Sequence, residues 1–139
     1  MKNLFLLLFV SVITVSCNQS VSQDDLAKLN GYWEIESVVM PDGTKKEYTI
    51  NPTIDFFELK GNTGKRTKVM PQFDGTYKTN DLSEKISIEQ KEDKTFINYT
   101  TANAKWKEEV IKLNDEKLVV KNEQEIEYHY KKPQPFSIK

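Results

Sequence analysis

The chain has 139 residues, which favours a single domain. With 29% charged and 11% aromatic residues it is hydrophilic yet equipped to build a core, which excludes wholesale disorder. Its 20 basic residues, all lysine except Arg66, stand against 21 acidic ones. That leaves no cationic surplus to displace counterions from phosphate, so nucleic acid is not an expected partner.

Lys2 precedes an apolar run of 12 residues from Leu4 to Val15, broken only by Ser11 and Thr14. A bilayer span takes about 20 apolar residues, so this run has the length of a signal-peptide core instead. It ends Thr14-Val15-Ser16-Cys17, and Cys17 is the only cysteine. This resembles the lipobox of bacterial lipoprotein signal peptides, although Thr14 stands where a larger aliphatic residue is usual. The resemblance implies cleavage after residue 16, lipid attachment at Cys17 and anchorage in the cell envelope, at the outer membrane, on either its periplasmic or its exterior face. The alternative is an ordinary secretory signal with an incidental cysteine. No second thiol remains for a disulfide.

Residues 17–25 read as a lipidated tether, polar over 18–23. Ser22 and Asp25 form a capping-box-like start of a short helical turn, with Leu26 and Leu29 on one face and Asn30-Gly31 as its stop. Period-two patterns dominate from there. They predict strands over 32–39, 53–60, 66–70, 73–79, 85–92, 95–101, 105–113, 117–121 and 125–131. Turns are expected at Pro41-Asp42-Gly43, Gly61-Asn62-Thr63-Gly64, Asn80-Asp81, Glu92-Asp93-Lys94 and Asn114-Asp115-Glu116. The last strand alternates Ile126, Tyr128 and Tyr130 inward with Glu127, His129 and Lys131 outward. The expected fold is all-β: an up-and-down antiparallel barrel of about eight to nine short strands over residues 26–132, followed by a tail at 133–139.

The order Leu29-Asn30-Gly31-Tyr32-Trp33-Glu34-Ile35 after a helical turn resembles the opening of lipocalins. Pro41-Asp42-Gly43-Thr44, Gly75-Thr76-Tyr77, the run from Ile111 to Val120 and the run from Glu127 to Lys132 are similar to the small lipocalin-like domain of Bacteroidetes lipoproteins. The resemblance implies that Gly31 and Trp33 are structural, with Trp33 plugging a closed barrel end above Leu26 and Leu29. Many lipocalins stack an Arg of the last strand on this Trp; here Lys131 and Lys132 stand in that region.

No catalytic cluster is visible. His129 is the only histidine and lies on an outward face. Without histidine or cysteine partners no metal or other cofactor is expected. The pairs Asp24-Asp25 and Glu108-Glu109 read as solvated charge. The aromatic residues Phe56, Phe57, Tyr77, Phe96, Tyr99, Trp106, Tyr128 and Tyr130 could line a ligand cavity or fill a small barrel entirely. Two functions therefore stay open. The first is a monomeric, membrane-anchored lipocalin-like protein that binds a small apolar or amphipathic ligand. The second is a filled interaction or inhibitor barrel, with Lys60, Lys65, Arg66 and Lys68 as a charged surface for a protein partner.

Overall fold

A computed structural model describes residues 21–134. The signal segment, Cys17 and most of the tail lie outside the described residues. Ser22 caps α1 (Gln23–Leu26) by accepting the Asp25 N–H at 3.2 Å, so residues 23–25, counted with the tether in the sequence reading, are already helical. A 3-10 turn over Ala27–Leu29 follows. Two short turns are not stable alone, and they survive by burying Leu26 and Leu29 completely against the barrel.

The strands are β1 (Gly31–Val39), β2 (Lys45–Glu47), β3 (Ile54–Lys60), β4 (Thr63–Pro71), β5 (Tyr77–Lys91), β6 (Lys94–Thr100), β7 (Lys105–Leu113), β8 (Lys117–Asn122) and β9 (Glu127–Lys131). β1 pairs antiparallel with β3, each of β3 to β8 pairs antiparallel with the next, and β9 returns to β1 through Glu34↔Lys131 to Val39↔Glu127. Eight strands thus close an up-and-down barrel, while β2 pairs only with the second half of β1. Closure leaves those eight strands no free edge.

Two local features depart from the sequence reading. First, β2 is an extra strand after the Pro41-Asp42-Gly43 turn. Its three residues are all exposed, so it carries no burial pattern to read. Second, 73–79 and 85–92 are not two hairpin strands. Residues 77–91 form one long strand, and Asn80-Asp81 is a bulge in it. Thr79 faces Val69 and Ser83 faces Thr67, so three residues stand opposite Lys68 alone. The polar side chains of Thr79 and Asn80 accept the N–H groups of Asp81 and Leu82, and Asp81 sits at φ 59°. Those are the local bonds of a turn, but the strand resumes its direction after them. Phe73 belongs to the preceding turn, where Gln72 N–H donates to the Thr76 carbonyl. A bulge in β7 between Val110 and Lys112 also shifts the strand's parity, so that Ile111 and Lys112 are exposed and Leu113 packs back against the core.

Gly64 shows how tightly β3 and β4 cross: a Cβ there would overlap the Glu58 carbonyl. Side chains occupy much of the barrel interior. Leu29, Trp33, Phe57, Ile86, Ile97, Tyr99, Val110, Leu118, Val120 and Tyr130 form one buried cluster. Of the two barrel interiors left open by the aromatic count, the part around this cluster is therefore the filled one.

Candidate functional site

The two ends of the barrel differ. At one end the Trp33 indole N–H donates to the Leu29 carbonyl at 2.8 Å, tying the plug to the helical turn. The Lys132 ammonium lies 3.9 Å from the centre of the Trp33 ring, the position that the resemblance gives to an arginine. Partial burial lowers its pKa, and Asp115 opposes that. Gly31 permits the approach, for a Cβ there would come within 3.2 Å of the Lys132 Nζ, and its φ of 117° also suits glycine. The N-terminal side is fastened at this same end. Val21 N–H donates to the Thr95 hydroxyl at 3.1 Å, and the Gln90 amide donates to the Val21 carbonyl at 2.6 Å.

The opposite end is open and holds a cup of about 370 Å³. Trp106, Tyr128 and Tyr130 form apolar walls, and Asn122, Glu123 and Gln124 belong to the rim. Its floor is charged. Arg66 and Lys68 alternate along β4 and so both point inward. Arg66 donates from Nε to Glu84 at 2.8 Å, lies 4.3 Å above the Tyr99 ring and approaches Glu108 Oε1 at 3.9 Å. Lys68 pairs with the buried Asp55 at 2.7 Å. Burial is the largest influence on Arg66 and opposes its charge, but the Glu84 hydrogen bond together with the Tyr99, Asp55 and Glu84 charges outweighs it and holds the guanidinium above its ordinary pKa.

Glu108 is the unusual member. Its side chain is only 7% exposed, and its Oε1 has no hydrogen-bond partner among the described residues. Burial pushes its carboxyl up from the ordinary range, against the Tyr99 hydroxyl and the Arg66 charge, which both act to lower it. Tyr99 is itself pushed well up, by burial and then by Glu108. Trp106 stacks on Tyr99 with ring centres 5.3 Å apart, which joins the cup wall to the core beneath.

Of the aromatic residues singled out from sequence, the structure places Trp106, Tyr128 and Tyr130 in the cup. Tyr99 lies under its floor and Phe57 in the filled core. Tyr77 and Phe96 are elsewhere. Tyr77 stacks on Tyr32 at 4.0 Å on the outer wall, and Tyr32 in turn stacks on Phe56 at 4.4 Å. Phe96 alternates with the inward Thr95 and Ile97 and carries the Lys107 ammonium 4.7 Å from its ring centre. The charged surface expected from Lys60, Lys65, Arg66 and Lys68 is also divided. Arg66 and Lys68 line the cup, whereas Lys65 pairs with Glu58 across β3 and β4 at 3.5 Å. Sequence reasoning missed Arg66 and Glu108 as cup residues, although strand parity carried the signal: Trp106, Glu108 and Val110 share one face of β7.

A broader hollow of about 770 Å³ surrounds the β3–β4 hairpin at Phe56, Leu59, Lys60 and Lys65. It is a wide depression in the surface, and none of its lining residues has a buried polar atom left unpartnered. The cup is the stronger candidate because its polar groups converge in a concave site.

A small closed antiparallel barrel with one plugged end and one cupped end defines a calycin-like class of binding fold. The model of the lipocalin-like domain family matches residues 29–120, and the chain belongs to that family. Its members are as a rule binding proteins and not enzymes. No curated protein matches the sequence. Among solved structures, a lipocalin-like protein from Bacteroides uniformis is similar at 14% identity, with 76% of this chain and 98% of that one covered and a TM-score of 0.48. An uncharacterized protein from Bacteroides eggerthii is similar at 14% identity, with 76% and 99% covered and a TM-score of 0.48. Lobster apocrustacyanin A1 is similar at 9% identity, with 86% and 73% covered and a TM-score of 0.45.

Proposed function

We propose that this is an envelope lipoprotein, anchored through a lipidated Cys17 at the outer membrane, whose barrel acts as a monomer and takes a small amphipathic ligand in its open cup. The observation that supports this reading is the asymmetry of the barrel. Side chains occupy much of the interior, so a long apolar ligand has little room there, while the cup joins aromatic walls to a polar floor. A wholly apolar ligand would desolvate the charged floor and leave Glu108 without a partner, which costs free energy. The ligand therefore carries a polar head.

Orientation follows from the same geometry. Val21 is fastened at the closed end, and four extended residues from Cys17 reach at most about 14 Å. A lipid on Cys17 sets the plugged end toward the membrane and the cup toward the aqueous phase. The ligand then arrives from solution and is not drawn from the bilayer that holds the anchor.

The test is incubation of residues 18–139, which contain the whole barrel, with a neutral fluorescent naphthylamine, followed by native mass spectrometry. A one-to-one complex that Trp106→Ala weakens supports the reading. Absence of any complex at millimolar probe rejects it. The filled core favours the second reading, a barrel that grips another protein by its loops, and recovery of a stoichiometric envelope protein with no bound small molecule would favour it.

A further inference from the structure

Resting on the cup reading, we infer that the ligand's head is an uncharged group that both donates and accepts hydrogen bonds, such as a primary amide, held between Arg66 and Glu108. Two features of the floor lead there. Arg66 spends its Nε on Glu84, and its Nη1 faces Glu108 Oε1 at 3.9 Å, too far for a hydrogen bond. Glu108 Oε1, closed off from solvent, has no partner among the described residues. A buried unsatisfied acceptor is rare in a native structure and calls for an explanation. A ligand donor that displaces the side chains covering Oε1 fills that need at Glu108, and an acceptor on the same head takes an N–H of the Arg66 Nη1.

Charge selects the neutral head. Arg66 is paired with Glu84 and Lys68 with Asp55, so the floor holds two matched ion pairs and Glu108. A carboxylate head would place a second acid against Glu108. An ammonium head would satisfy Glu108 but lie against Arg66, with Lys68 nearby. Either leaves like charges together in a poorly solvated site, which is unfavourable. An amide meets both partners and adds no charge.

Three probes with one tail separate the possibilities: octanamide, octanoate and octylammonium, titrated at about neutral pH into residues 18–139 and followed by amide chemical shifts. Octanamide is expected to bind at least about tenfold more tightly than either ion. In Glu108→Gln, the new carboxamide offers a donor and removes the acid, so octanoate is expected to gain at least about fivefold. Equal affinity of all three heads for the wild type overturns the inference and leaves the cup reading standing. So does a water bridging Arg66 and Glu108 that persists in a crystal of the octanamide complex. If no probe shifts the cup residues, the cup reading itself fails. If Glu108→Gln does not fold, the ranking of heads in the wild type decides alone.

Discussion

Replacing Arg66 by Met tests the energetics of the cup floor. The side chains are similar in length, but the methionine offers no charge. Glu84, 20% exposed, loses its 2.8 Å partner, and Glu108 loses the nearest cation. Removing one partner of a buried pair costs about 3–5 kcal/mol, and the partial exposure of Glu84 places this case near about 3 kcal/mol. The loss must also depend on pH. Glu108 has its folded pKa raised above the ordinary 4.5 by burial. Between those two values the folded state holds a proton that the unfolded state has released, so stability falls as pH rises through that window. Without Arg66 the carboxylate is harder still to form, and the window over which stability falls extends to higher pH. Urea unfolding followed by tryptophan fluorescence at about pH 5 and about pH 8 reads both effects. The expected result is a larger penalty at the higher pH, partly rescued by Arg66→Met with Glu108→Gln. A penalty below about 1 kcal/mol, the range of an exposed pair, or one equal at both pH values, would refute the reasoning.

Other expectations follow from the same structure. Glu108→Gln alone should gain stability relative to wild type as pH rises from about 5 to about 8, and parallel pH profiles for the two proteins would contradict it. Trp33→Ala removes a fully buried ring and its bond to Leu29, and should cost about 3–5 kcal/mol in urea unfolding. Gly64→Ala drives a methyl group into the Glu58 carbonyl and should cost about 1–3 kcal/mol, whereas Leu82→Ser, at an exposed bulge residue, should stay within about 0.5 kcal/mol. Metabolic labelling with a fatty-acid probe should mark the wild-type chain and spare Cys17→Ala; equal labelling of both would remove the anchor from the account.

Much of the fold was legible because period-two burial is a direct consequence of strand geometry. Ile86 and Ile88 alternate with polar neighbours, and the Leu26 and Leu29 pair announced a helical turn that must dock. The bulge at Asn80-Asp81 was not legible, since the same Asn and Thr side-chain bonds that make a hairpin turn also make a kink within one strand. Only the partner strand decides which it is, and that information is non-local. The cup was half legible. Its aromatic walls stood out by residue type, but Tyr77 and Phe96 show that type without parity cannot say which side of a barrel a ring occupies. Arg66 and Glu108 were hidden by the ordinary rule that charge is solvated. That rule yields where strand parity turns a charge inward beside an opposite one, and the pairing of β4 with β5 that brings Glu84 to Arg66 lies 18 residues apart in sequence.

Ligand is expected to enter the open end and stop at the charged floor. Mapping amide chemical-shift changes during titration of residues 18–139 with octanamide tests it most directly. Shifts are expected to concentrate at Trp106, Glu108, Asn122 and Tyr128, with Trp33 and Lys132 unmoved. Shifts centred on the outer wall at Tyr32 and Tyr77, or on the plugged end, would contradict it.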